Sequence, residues 1–420
     1  MRKLILSTVC VLFFFNTQAQ RCAFGEIMKS ETQQNRLERF QEALKSYRSK
    51  SSINARVSDE IIKIPVVVHV IHNNSGGQIG GDGNANISDA QIFSQIEVLN
   101  EDYRKEAGTL GFNTNPVGGD MGIEFFLAQV DPDGQPSSGI TRNYVSRRQF
   151  SPYTDLEFIA SQSHWPADQY LNIYVLDFSA NTLGYGEFPG AAVDGLEVED
   201  PDELIDGVFV DYEAFGRKTG TASDGLYSYG RTLTHEVGHW LGLLHTWGDT
   251  FCGTDYVDDT PQAEAANETD TCGPIYSRCA GKSNTLNMIE NYMDYSPDSC
   301  MNIFTLDQKT RVRQVLELSQ RRRRLILNSQ FLIAKQETAD LKLLNHPDRN
   351  GDLAFQVLLP DFQDFSLVFY NYFGQLIMTR EYKDYPSFVL KASDFNLPKG
   401  MLIVSFRTQG KVINKRFLNL

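Results

Sequence analysis

Basic residues are in short supply: 39 lysines and arginines face 53 aspartates and glutamates, leaving a formal charge of −14 over 420 residues. The basic run at 321–324 is short and reads as the solvated last turn of a helix, where cations are favoured. With so little positive charge to track a phosphate backbone, nucleic acid is not expected as a partner. Long apolar runs are just as scarce. After residues 4–15 no stretch reaches the ~20 apolar residues a bilayer span requires, so no membrane span is expected. No tandem repeat of fixed period is present, which excludes a solenoid. Histidine occurs seven times and cysteine six, so any regular spacing of either is informative.

The first residues of the chain carry an address. Arg2 and Lys3, the apolar run at 4–15, and Thr17 and Ala19 before Gln20 form a signal peptide at residues 1–19, so the protein is expected to be secreted. Residues 20–56 are polar, with a helical pattern at Leu37, Phe40 and Leu44, and end in a stretch rich in Ser, Lys and Arg at 46–56 that a protease can reach. This reads as a propeptide. A mixed α/β region follows over 57–328. Runs at 61–71, 123–130 and 170–178 read as strands, Ser88 with Gln91 and Thr305 with Gln308 as helix-opening capping boxes, and 75–84 and 217–225 as glycine-rich loops. Residues 335–420 change to short alternating runs (365–370, 375–378, 387–390, 401–406) split by turns, the pattern of a small β-sandwich. In an oxidising compartment Cys252, Cys272, Cys279 and Cys300 read as two disulfides; three connectivities are open, and Cys22 is left unpaired.

The chemistry concentrates in His235-Glu236-Val237-Gly238-His239-Trp240-Leu241-Gly242-Leu243-Leu244-His245. Four residues apart on a helix, His235 and His239 aim at one point. Glu236 is directed elsewhere, towards a water rather than the ion, and suits a general base. Gly242 can end the helix with positive φ and turn the chain so that His245 supplies a third nitrogen. Three ligands with one open position is the catalytic zinc arrangement. His69, His72, His164 and His346 show no such pattern and read as packed or solvated.

This HExxHxxGxxH sequence, with Asn291-Tyr292-Met293-Asp294-Tyr295 about fifty residues on, resembles the metzincin clan of zinc peptidases. The resemblance implies an α+β fold: a twisted mixed sheet with an active-site helix, above an irregular lower part, followed here by the sandwich. It implies Met293 as an apolar floor under the metal, and Tyr295 as a phenol that either ligates the resting metal or donates to the oxyanion. The four cysteines, the strand at 64–70 and Asp259-Thr260-Pro261 resemble the pappalysin family within that clan, over roughly residues 60–325. Membership implies pairing Cys252 with Cys279 and Cys272 with Cys300. It also implies structural calcium around Thr254, Asp255, Asp258 and Thr260, and the thiolate of Cys22 on zinc in a latent form, with the propeptide as the enzyme's own inhibitor. Asp298 is a candidate for the acid that would select Arg or Lys on the carboxyl side of the cut bond. Substrate would lie extended along an edge strand near 183–188. The C-terminal module (368–375, 397–401 and 415–417) resembles the sorting domain of the type IX secretion system, which would make the secretion machinery a partner. The implied activity is endopeptidase cleavage of protein or peptide substrates. Two other readings are a secreted binding or adhesion protein with a structural zinc site and a small-substrate esterase or amidase. A ligand-free Glu236 beside the histidines argues against the first, because a purely structural site has no use for it.

Overall fold

The computed structural model describes residues 21–50, 60–281, 284–332, 339–344, 354–359, 363–385 and 388–419. The expected signal peptide, residues 51–56 of the Ser-, Lys- and Arg-rich stretch at 46–56, and His346 lie outside the described residues. The chain begins with a single helical turn, Phe24–Ile27 (α1), and a long helix, Glu31–Lys50 (α2), then enters a strand, Ile62–His72 (β1).

From Val66 onward β1 is buried without a break, and so is Leu171–Phe178 (β5). Continuous burial of β-branched residues marks strands covered on both faces, and these two pair in parallel at the centre of the sheet. After β1 come Asp89–Tyr103 (α3), Ile123–Leu127 (β2), Ile140–Tyr144 (β3), Gln149–Phe150 (β4) and Leu156–Gln162 (α4); after β5 come Gly184–Gly186 (β6), Gly207–Asp211 (β7) and Arg231–Trp240 (α5). The sheet order is β2-β1-β5-β7-β6, with β3 beside the far half of β1 and β4 at the end of β5. All its pairings are parallel except that β6 lies antiparallel to β7 and forms the edge. The edge strand is shorter than the segment expected at 183–188.

Val66, Val68, Val70, Ile173, Val175, Val208 and Val210 turn one face of the sheet towards α3 and α5, whose Ile92, Ile96, Leu99, Leu233 and Val237 complete that core. Ser88 accepts from the Gln91 N–H as expected of an N-cap. The Gln91 side chain, however, donates to the carbonyls of Tyr212 and Phe215, so the reciprocal half of the box is absent and α3 is tied to the following loop instead. Thr305 and Gln308 do form the complete box.

Short strands Tyr276–Ser277 (β8) and Thr285–Leu286 (β9) precede Leu306–Leu318 (α6) and Gln320–Leu332 (α7). The arginine run at 321–324 opens α7 rather than closing a helix, which corrects the sequence expectation. Arg322 is fully buried; it pairs with Asp206 at 2.7 Å, donates to the Trp240 carbonyl and lies 3.8 Å over the Trp240 ring. A buried acid draws a guanidinium inward where a solvated helix end would leave it in water. The effect is to clasp the C-terminal end of α5.

Two antiparallel sheets follow: Asp340–Leu344 (β10), Ala354–Leu358 (β11) and Phe388–Lys391 (β14) in one, and Gln363–Asn371 (β12), Leu376–Tyr385 (β13), Gly400–Thr408 (β15) and Val412–Asn419 (β16) in the other. Their inner faces meet through Phe355, Phe369 and Phe417, with ring centroids 4.9 to 6.3 Å apart. Disulfides join Cys252 to Cys279 and Cys272 to Cys300. No helix among the described residues is long and apolar enough to cross a membrane.

At the end of β7 the Asp211 carboxyl accepts from the N–H groups of Phe178 and Glu213, yet burial pushes its pKa up to about 7. A carboxyl raised on folding binds its proton more tightly in the native state, so its contribution to stability is present at low pH and is lost as pH rises from about 4 to about 7. Urea denaturation across that range is expected to show a falling stability for the wild type relative to Asp211→Asn. Parallel curves would show that Asp211 carries no such linkage.

Candidate active site

Helix α5 has no side-chain cap of its own, because Gly230 stands at its N-cap position. Its start is held from outside. Asp298 accepts the N–H groups of Tyr229 and Arg231, each at 3.0 Å. The buried carboxylate of Asp102, on α3, receives Arg231 at 3.1 Å, the Thr234 hydroxyl at 2.8 Å and the Tyr292 hydroxyl at 2.8 Å. Burial raises Asp102 to about 6 against these partners.

So fixed, α5 presents His235 and His239, and Gly242, at φ 86°, turns the chain so that His245 comes back beside them. The three Nε2 atoms lie 3.1 to 3.2 Å apart. Each Nδ1 faces an acceptor: the Tyr292 carbonyl at 2.7 Å, the Leu243 carbonyl at 3.0 Å and Asp249 Oδ1 at 2.6 Å, respectively. A carbonyl can only accept, so the protons of His235 and His239 sit on Nδ1, and the Asp249 carboxylate favours the same tautomer at His245. Three Nε2 lone pairs then face one another in a fully buried site, an arrangement that repels unless a cation lies between them. Burial, then the neighbouring imidazoles, hold His235 and His239 well below the ordinary histidine pKa, so their neutral forms are favoured. The Cys22 thiol completes the group: its Sγ and the three nitrogens all lie within 4.8 Å of one another, the only such cluster of His, Cys, Asp and Glu among the described residues. The donor set therefore fits a soft-to-borderline divalent metal.

Glu236 is not one of these four converging donors, but its Oε2 receives the Cys22 thiol at 3.3 Å. Burial pushes it up to about 8. It lies directly beneath the edge strand, and a Cβ at Gly184 would come 2.6 Å from Glu236 Oε1, while one at Gly186 would come 2.1 Å from the Glu236 carbonyl. Only glycine lets β6 approach this closely. Met293 lies under α5, its sulfur 2.4 Å from where a Gly238 Cβ would stand. The Tyr295 ring packs edge-on to His245 at 5.0 Å, and its hydroxyl donates to the Cys22 carbonyl at 3.2 Å.

The N-terminal segment fills the cleft. The Ala23 N–H donates to the Gly184 carbonyl on β6 at 3.0 Å, and Phe24 stacks on His239 at 4.0 Å. Arg21, fully buried, pairs with Asp298 at 3.1 Å, contacts the Ser296 carbonyl and lies 5.0 Å over the Tyr227 ring. Arg21, Asp102, Asp249 and Tyr292 were not singled out from the sequence. Arg21 stands beside Cys22 in the chain, but only the fold brings Asp102 to α5.

Two of the calcium candidates, Asp255 and Thr260, are joined by a hydrogen bond at 2.7 Å. Asp255 spends both oxygens on the Val257 N–H and the Thr260 hydroxyl, while Asp259 accepts from the Asp307 N–H. Burial, then Asp259 and Asp258, push Asp307 upward, so acids do crowd here. His69 is buried among Thr141, Ser163 and Asn172, and burial lowers it to about 3. His72 and His164 are also lowered by burial, and none of these three joins the metal cluster.

The peptidase M43 family profile, described as pregnancy-associated plasma protein-A, matches residues 154–317. Extracellular metalloprotease 1 of Coccidioides posadasii is 31% identical over 252 residues, 60% of this chain and 75% of that protein. An extracellular metalloprotease of Podospora anserina is 30% identical over 298 residues, 69% of this chain and 85% of that protein. Among solved structures, a Tannerella forsythia promirolysin mutant superposes with a TM-score of 0.62 at 36% identity, covering 74% of this chain and 99% of that one. Mature mirolysin from the same organism, in complex with a cleaved peptide, gives 0.56 at 38% identity, covering 65% and 98%.

Proposed function

Because this chain belongs to the pappalysin-like peptidase M43 family and is a metalloendopeptidase, we propose that it is made as a latent zinc enzyme whose own N-terminal segment occupies the cleft until it is cut away. The observation that carries this reading is the convergence of Cys22 Sγ with the three Nε2 atoms. His235, His239 and His245 hold the zinc, and Cys22 takes the remaining position. When bound, zinc polarises the scissile carbonyl and acidifies water.

The chain supplies the rest. The Glu236 carboxylate takes a proton from the attacking water and returns it to the leaving amine. Tyr295, which now donates to the carbonyl of Cys22, donates to the substrate oxygen as charge develops there. The carbonyl of Gly184, now bonded to Ala23, accepts from a substrate laid along β6. The Asp298 pocket, now filled by Arg21, takes an Arg or Lys side chain on the carboxyl side of the cut bond. Mirolysin, solved both in a pro form and in a mature form with a cleaved peptide, supports the same division into latent and active states.

We further propose export by the signal peptide, in keeping with the extracellular relatives. Release near Arg56, calcium binding around residues 254–260 and a sorting role for the C-terminal sandwich complete the reading.

Replacing Cys22 by serine tests latency. The unprocessed variant is expected to cleave a quenched peptide that the unprocessed wild type leaves intact, with metal content unchanged. A variant as silent as the wild type would remove Cys22 from the inhibitory contact.

A further inference from the structure

Helix α2 lies in a groove of its own, outside the cleft. Arg36, Phe40, Ala43, Leu44 and Tyr47 fall at i, i+4, i+7, i+8 and i+11, the spacing of a helix laid into a groove. Phe40 and Ala43 are wholly buried and Leu44 nearly so, in one apolar cluster with Phe188, Val193, Val198, Val315 and Leu318. The ends are polar. Arg36 donates to the Phe188 carbonyl at 2.8 Å and stands 3.9 Å from Glu187, which is nearly buried itself; Tyr47 donates to Glu317 and Arg48 to Gln314. None of these partners is a residue of the metal site. Phe188 belongs to both places, with Phe24 of the cleft segment at 5.7 Å and Phe40 at 4.9 Å.

We propose that, after processing, this groove is an exosite that receives an amphipathic helix of a protein substrate, one with a basic residue a turn ahead of an aromatic. The proposal rests on the latency reading, since the groove is free only if α2 leaves. Three features select the occupant. The structure shows an amphipathic helix seated there. Glu187 and Glu317 at the ends call for a cation and a hydrogen-bond donor. Through Phe188 the groove runs into β6, so a helix held in it delivers the adjoining extended segment to Glu236. Two linked contacts raise the local concentration of the scissile bond, and protein substrates carrying such a helix are favoured over short peptides.

The test uses the processed enzyme and a synthetic peptide of residues 31–50, which lacks Arg21 and Cys22. Mass spectrometry first establishes whether the N-terminal segment has left. The peptide is expected to bind the processed enzyme but not the precursor, and to raise KM at unchanged kcat for a substrate in which this helix adjoins the scissile sequence. Cleavage of the isolated short sequence should be unaffected. Phe40→Ala in the peptide is expected to weaken binding about thirty-fold. Because that change is in the peptide, misfolding of the enzyme cannot explain it. Glu187→Gln in the enzyme should weaken the parent peptide more than its Arg36→Ala version. An active enzyme that retains the segment would overturn the latency reading and the exosite together. A segment that leaves without any later peptide binding would overturn the exosite alone. Competition with the short substrate would place the peptide in the cleft, and an enzyme dimer dispersed by the peptide would assign the face to a second copy; either overturns the proposal.

Discussion

Glu236→Ala is expected to lower kcat by about 10²- to 10⁴-fold, the range that a positioned general base supplies, while the protein keeps its metal and its fold. The three imidazole nitrogens converge without Glu236, so removing the carboxylate takes away no ligand. Nor is it a support. It accepts from the Cys22 thiol and lies in a buried place that pushes it up to about 8. Burial disfavours the charged form of this carboxyl, so its removal should leave the thermal midpoint unchanged or higher. Metal analysis and calorimetry alongside the kinetics separate this outcome from simple unfolding. A variant that is folded, metal-loaded and still fully active would show that the base is another group.

The second large effect concerns Asp298. Arg21 and Asp298 form a pair that is 1% and 0% exposed, and breaking a buried pair of this kind costs roughly 3–5 kcal/mol, or about 10²- to 10⁴-fold in an equilibrium or rate. Asp298→Asn should therefore lower kcat/KM by about that factor for peptides with Arg or Lys after the cut bond, and much less for those with an apolar residue there. Asp298 also accepts the N–H groups of Tyr229 and Arg231 at the uncapped start of α5. Asparagine can keep an acceptor at that position and alanine cannot, so Asp298→Ala should additionally lose about 1–3 kcal/mol of stability. A peptide series in which both variants keep the wild-type preference would remove Asp298 from the specificity pocket.

The histidine spacing was legible because it is local: the helical period brings His235 and His239 together, and Gly242 with positive φ turns His245 towards them. The central strands were legible for a related reason, since an unbroken β-branched run has few other places to go. What could not be read is whatever depends on distant segments meeting. Asp102 comes to α5 from α3, and Tyr292 links it to His235 through its own hydroxyl and carbonyl. The arginine run was misread because its sequence shows only charge, whereas the buried Asp206 that draws Arg322 inward lies more than a hundred residues away. The Gln91 side chain likewise left its expected cap for carbonyls that the fold brings within reach. Arg21 shows the intermediate case: a basic residue beside the unpaired cysteine gained meaning only when Asp298 appeared opposite it.

The most direct measurement strips the processed enzyme of metal with a chelator and titrates zinc back while following cleavage of a denatured protein, with metal content determined at each step. The expected result is loss of cleavage with the metal and its return at about one zinc per chain, in a protein whose fold persists throughout, and no return in His239→Ala. Cleavage that continues undiminished in a chain shown to be free of metal would contradict the account.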